Sequence, residues 1–91
     1  MMLSGDTVPR LVRGVRLTED KARNRWVVQA PERLFVPDET ALHILRLVDG
    51  ARSLDGIVDE LVLCFEAPRD VIAHDVDELL ADLIERKVVT T

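Results

Sequence analysis

The sequence predicts an α+β domain of three antiparallel strands followed by three helices, and three observations predict it. Residues 10–36 carry alternating and β-branched segments broken by a polar turn and by Pro31. Residues 38–83 carry three stretches with apolar residues at helical spacing. Each of those stretches opens on a residue suited to a helix start, Asp38, Ser53 and Pro68. At 91 residues the chain encloses one modest core and no second one. Apolar residues make up 47% and aromatics only 3%, so Leu, Val, Ile and Ala must build that core.

Residues 1–8 carry mostly small and polar side chains without periodicity and read as a disordered tail, leaving 9–91 as the single domain. From Pro9 onward Leu11, Arg13, Val15 and Leu17 share one parity, an imperfect alternation that predicts a first strand. Glu19 to Asn24 is a polar turn, and Arg25-Trp26-Val27-Val28-Gln29-Ala30 is a second strand that completes a hairpin. Pro31 ends it. Arg33-Leu34-Phe35-Val36 makes a short third strand closed by Pro37, and a proline so placed puts this strand at the sheet margin.

In the first helix Asp38 accepts from the unpaired N–H groups of the opening turn, Ala41, Ile44, Leu45 and Val48 form the core face, and Gly50 stops the helix. In the second, Ser53 caps a stripe of Leu54, Ile57, Val58, Leu61 and Phe65, and Gly56 weakens it by roughly 1 kcal/mol relative to Ala. The third begins at Pro68 and buries Ile72, Val76, Leu79, Leu80 and Leu83. Val88 and Val89 return briefly to a strand. Three strands and three short helices have the proportions of a small winged-helix-like domain.

The charge is divided along the chain. Residues 1–33 hold seven Arg/Lys against four Asp/Glu, and residues 34–91 hold five against thirteen, giving a whole with net charge −5. An acidic whole lacks the cation cluster that a phosphate backbone needs. Cys64 is the single cysteine, so intrachain disulfides and multi-cysteine metal centres are excluded and a reducing compartment fits. No charged start leads into an apolar run, and no apolar stretch approaches ~18 residues, so the expected location is the cytoplasm, without membrane insertion.

Pro9-Arg10-Leu11, Arg25-Trp26-Val27-Val28, Pro31-Glu32-Arg33, the Thr40-Ala41-Leu42-x-Ile44-Leu45 helix, Leu47-Val48-Asp49-Gly50 and Ala67-Pro68-Arg69-x-x-Ile72-x-x-Asp75-Val76 together resemble the PqqD family. The likeness covers nearly all of residues 9–89, and order, spacing and total length carry it more than any one piece. It departs from the family pattern at Gly56, where a helix former is usual, and at Lys87, where a helix-ending glycine is common. The resemblance implies a peptide chaperone of pyrroloquinoline quinone (PQQ) biosynthesis, a recognition element for ribosomally made peptides. Such a protein binds the precursor PqqA and presents it to the radical SAM enzyme PqqE, with no cofactor of its own. Fusion to the neighbouring enzyme PqqC occurs in the family, and the Met1-Met2 start suits an excised piece.

A sheet edge offers unpaired N–H and C=O groups to which an extended peptide adds as a further strand. By the resemblance the edge is Arg33, Leu34, Phe35 and Val36, and the opposing wall is the third helix. There Val71, Asp75, Glu78 and Asp82 recur at i, i+4, i+7 and i+11, a mostly acidic lip with one apolar member. The bland alternative makes Leu34 and Val36 core residues and the acids a solvated face. The basic residues Arg10, Arg13, Arg16, Arg23 and Arg25 form the candidate docking face for the enzyme, chosen by the sign of their charge alone.

Other residues carry less. Trp26 reads as a packing residue of the core and Cys64 as a small buried hydrophobe. His43 and His74 lie on different helices without metal-ligand spacing, and the four glycines form no phosphate loop. No Cys–His pair supports nucleophilic chemistry, so an enzyme is not expected. Two further readings stand beside the peptide adaptor. A winged-helix DNA-binding regulator is disfavoured because residues 70–85 hold Asp70, Asp75, Asp77, Glu78, Asp82 and Glu85 and no Lys or Arg. A plain dimerisation domain would pair the same edge with its own copy, so the state expected is a monomer or a weak edge-paired dimer.

Overall fold

The computed structural model describes residues 3–91. Along them run β1 (Arg10–Leu11), β2 (Arg16–Asp20), β3 (Arg25–Ala30), β4 (Arg33–Phe35), α1 (Glu39–Leu45), α2 (Leu54–Cys64), α3 (Arg69–Glu85) and β5 (Val89–Thr90). The predicted order, antiparallel strands and then three helices, is the order observed. β2, β3 and β4 form one antiparallel sheet with β3 in the middle, Leu17 opposite Val28 and Val28 opposite Phe35. A second ribbon pairs β1 with β5, Arg10 opposite Thr90 and Leu11 opposite Val89.

The first strand differs from expectation. Gly14 takes φ +87, a left-handed conformation open to glycine, and the Val15 N–H donates to the Val12 carbonyl at 2.9 Å. The chain turns there, so the expected single strand splits into β1, which leaves for β5, and β2, which stays in the hairpin. The polar turn is also shorter than expected: β2 runs to Asp20 and Asn24 closes the turn at φ +52, a conformation that asparagine tolerates.

Residues 3–8, expected as part of a disordered tail, instead run against α2 and α3. The Leu54 and Asp55 N–H groups donate to the Thr7 and Gly5 carbonyls at 2.7 and 3.1 Å, and the Leu3 N–H donates to Asp77 Oδ1 at 2.6 Å. A side chain at Gly5 would collide with the Asp55 carboxylate. The segment thereby satisfies N–H groups that the start of α2 leaves unpaired. Residues 1–2 of that expectation lie outside the described residues.

Two helix starts follow their predicted caps, but α1 ends at Leu45 with Arg46 as its C-cap, short of the expected stop at Gly50. Asp38 Oδ1 accepts from the Ala41 N–H at 2.8 Å and Ser53 Oγ from the Gly56 N–H at 3.1 Å. Gly56 therefore sits in the capped first turn, where its flexibility costs less than in a helix interior. Pro68 caps α3 rather than opening it. At the far end of α3 the Val88 N–H donates to the Leu83 carbonyl and the Lys87 N–H to the Ile84 carbonyl, with Lys87 at φ +62. This is a Schellman stop with lysine in the place where glycine is usual.

The core joins Val28 of β3 to Ile44 and Leu45 of α1, Ile57, Val58 and Leu61 of α2, Ile72, Val76, Leu80 and Leu83 of α3, and Val88 and Val89. Leu79 packs against it half-buried, and Phe65 lies just past α2 and is exposed. Arg69 of α3 pairs with Asp59 of α2 at 2.6 Å. No helix among the described residues is long and apolar enough to cross a membrane.

Candidate functional site

β3 has hydrogen-bonded neighbours on both sides, whereas β2 and β4 each have one, so the sheet has two free edges. They are chemically unlike. β2 carries Arg16, Glu19 and Asp20 among its five residues, charges of the kind that discourage a further strand. β4 and the residue after it expose apolar side chains instead, Leu34 at 50% and Val36 at 49%. Phe35, on the opposite parity, packs against the core and anchors the strand. The bland alternative for Leu34 and Val36 as core residues therefore fails.

α3 is the expected opposing wall. At one end the Arg33 guanidinium donates to the Arg86 carbonyl, tying the start of β4 to the close of α3 and setting a cation on the negative end of the helix. At the other end Val71, 47% exposed, and Asp75 line a pocket of about 160 Å³ with Thr40 and His43 of α1 and Phe65. Ile44, Leu61, Ile72 and Val76 form its floor. The His43 ring stands edge-on to Phe65 with centroids 5.1 Å apart and planes at 87°.

The predicted helix lip is thus divided. Val71 and Asp75 share the pocket, while Glu78 and Asp82 lie further along the exposed face, beside Ala81 and Glu85. Two of the acids have local partners. Asp82 Oδ2 lies 3.1 Å from Arg86 Nε, and Glu78 Oε2 lies 3.0 Å from His74 Nε2, an ion pair only while the histidine is protonated. Asp75 has none among the described residues.

The five arginines grouped by charge differ in their partners. Arg23 Nη1 and Arg25 Nε both reach Asp20 Oδ2, each at 3.4 Å, beside the β2–β3 turn. Desolvation would raise the Asp20 pKa, but hydrogen bonds and charge from Arg23, with a hydrogen bond from Arg25, outweigh it and hold the carboxyl below its ordinary value. Arg16 Nε donates to Gln29 Oε1 at 3.3 Å. Arg10 and Arg13 are exposed on β1 and in the turn that follows.

Two further expectations are corrected. Cys64 is exposed at the end of α2, because the helix stops before the next turn of its apolar stripe reaches the core. Trp26 is half-buried outside the main core, and the Arg46 guanidinium carbon sits 4.9 Å from its ring centroid. Sequence reasoning missed Thr40 and His43 as pocket residues and took Phe65 for core. The signal was present: Thr40 and His43 sit one position before the buried Ala41 and Ile44, on the margin of that stripe.

A family model described as coenzyme PQQ synthesis protein D (PqqD) matches residues 25–89. The PqqA binding protein of Gluconobacter oxydans (strain 621H) is 51% identical over 85 residues, covering 93% of this chain and 88% of its own. The solution structure of the PqqD truncation of Methylobacterium extorquens PqqCD represents a functional, stand-alone recognition element for ribosomally synthesised and post-translationally modified peptides. It superposes with a TM-score of 0.80 at 40% identity, over 98% of this chain and 95% of that one. A lasso peptide synthetase B1 complexed with the leader peptide shares the fold, with a TM-score of 0.74 at 20% identity over 93% of this chain and 100% of that one.

Proposed function

The chain belongs to the PqqD family, and from that premise we propose that it binds the precursor peptide PqqA as a strand added to β4 and presents it to the radical SAM enzyme PqqE in PQQ biosynthesis. The observation that carries the reading is the free edge of β4, which combines unpaired backbone groups with the half-exposed Leu34 and Val36. Backbone hydrogen bonds along such an edge supply affinity without regard to side chains. Selectivity then falls to the facing wall, where Val71 and Asp75 border an apolar pocket and Glu78 and Asp82 continue the rim.

The role asks for no catalytic group. It asks that the peptide be held while an enzyme works on it, which raises the peptide's effective concentration at that enzyme. The enzyme therefore docks on another surface, for which the exposed basic residues Arg10 and Arg16 are the best candidates; Arg13 borders the depression beside the start of β4, and Arg23 and Arg25 are already engaged by Asp20. A reducing cytoplasm suits the exposed thiol of Cys64.

Titration of the ¹⁵N-labelled protein with PqqA tests the site. Amide shifts and exchange protection change most over residues 33–37 and 69–83; changes confined to residues 10–28 would overturn it. Native mass spectrometry of protein, PqqA and PqqE tests presentation, with a ternary complex as the expected species and mutually exclusive binding as the refuting one.

A further inference from the structure

Beside the start of β4 the surface carries a depression whose walls include Arg13, Pro31, Arg33 and Lys87, with Glu32 as the sole acid in its lining. Among the described residues, none of these three cations lies within ion-pair distance of a carboxylate. Arg33 belongs both to this depression and to the edge strand, and its bond to the Arg86 carbonyl places it at the close of α3. The other end of the same strand leads through Pro37 into α1, whose Thr40 borders the apolar pocket beside Val71, near the start of α3. The surfaces beside the two ends of α3 are therefore chemically different, basic at Arg33 and Lys87 by its close and apolar at Val71 by its start.

We infer that the bound segment is itself polar along its length, with a bulky apolar side chain in the Val71 pocket and an acidic side chain against Arg13, Arg33 and Lys87. This deepens the strand-addition reading and rests on it. The volume of about 160 Å³ is close to that of an engineered cavity of ~150 Å³ that takes up benzene, so one aromatic or branched aliphatic side chain fills it. From Val71 to Arg86, α3 rises roughly 22 Å at about 1.5 Å per residue. An extended strand covers that span in roughly seven residues. Between the two ends Asp75, Glu78 and Asp82 line the rim and repel acids, so the intervening residues facing α3 are neutral or basic.

The test is a double-mutant cycle by calorimetric titration with PqqA. In the peptide each Asp or Glu is changed in turn to its amide, and in the protein Arg13→Glu and Lys87→Glu are combined, both on exposed side chains. Arg33 is left intact because it also holds the end of α3. The protein variant weakens binding roughly tenfold. One acidic peptide residue, about seven positions from an apolar one, loses its own effect in that background, while Val71→Asp removes the effect of the apolar residue. If amide shifts still map to β4 but no acidic residue couples to Arg13 and Lys87, the two-ended site is wrong and strand addition stands. If the shifts leave β4, both fall.

Discussion

β4 and α3, the proposed walls of the peptide site, are built in opposite ways. α3 sends Ile72, Val76, Leu80 and Leu83 into the core over its seventeen residues, so its position is set by the whole molecule. β4 has three residues, one neighbouring strand and a single side chain, Phe35, packed inward. One wall of the site is thus part of the core and the other is an attachment to it. The difference assigns stability to one set of residues and, in the proposed function, recognition to another, and mutations can separate them.

The largest effect tests the core side of that contrast. Leu80 is fully buried, and Leu80→Ala leaves a cavity that lowers stability by about 2–5 kcal/mol. In a domain whose total margin is on the order of 5–15 kcal/mol, urea denaturation detects this readily. Leu79→Ala, at a half-buried position of the same helix, falls at or below the low end of that range. An equal loss at both positions would break the distinction between the faces of α3.

A second experiment addresses β4. The double substitution Leu34→Ala and Val36→Ala removes half-exposed side chains and costs less than about 1 kcal/mol of stability. It weakens PqqA binding roughly tenfold, because these side chains are desolvated only in the complex. Unfolding that shifts strongly while affinity holds would make β4 a structural strand.

Asp75→Lys sharpens the comparison further. Asp75 is exposed, unpaired and on the pocket rim, so the change alters peptide affinity severalfold by calorimetry and leaves the melting temperature nearly unchanged. Glu78→Lys has a smaller effect on affinity, since it also releases His74.

The smallest effect lies outside both walls, at the turn between α1 and α2. Asp49 accepts from the Arg52 and Ala51 N–H groups and from the Arg52 guanidinium, and these hydrogen bonds hold its carboxyl below its ordinary value. The folded form therefore binds this proton less readily than the unfolded one. Its contribution is complete above the ordinary carboxylate range near pH ~4 and disappears as pH falls through the lower folded value. Melting curves of Asp49→Asn recorded across that range differ from those of the parent most at the higher pH and converge in acid.

Much of this architecture was legible because it depends on near neighbours. Asp38 and Ser53 announce α1 and α2 by their spacing from the apolar stripes, and Val27-Val28 identifies β3. The split at Gly14 was not legible, since the alternation of Leu11, Val15 and Leu17 runs through it and the true partner of Leu11 is Val89, near the other end of the chain. The same limit hid the pocket: Val71 and Asp75 were legible by helical spacing, but their meeting with His43 and Phe65 depends on how three helices converge. Cys64 was misread because its apolar neighbours Leu63 and Phe65 suggested burial, yet both of them are exposed.

The β1–β5 ribbon has a consequence for the order in which the molecule is made. β1 is the first and β5 the last of the domain's elements to be made, so this seam cannot close until every other element of the domain has been synthesised. Until then Val88 and Val89, buried in the finished core, have not joined it. Closing so long a loop costs only slightly more entropy than closing one half its length, so the delay is one of timing rather than of stability. The hairpin and the α2–α3 pair, whose contacts are local, form ahead of it. In pulse-labelled exchange during refolding, the Val12 amide, which donates to the Val88 carbonyl, is expected to gain protection last; its protection before the amides of α2 and α3 would contradict this order.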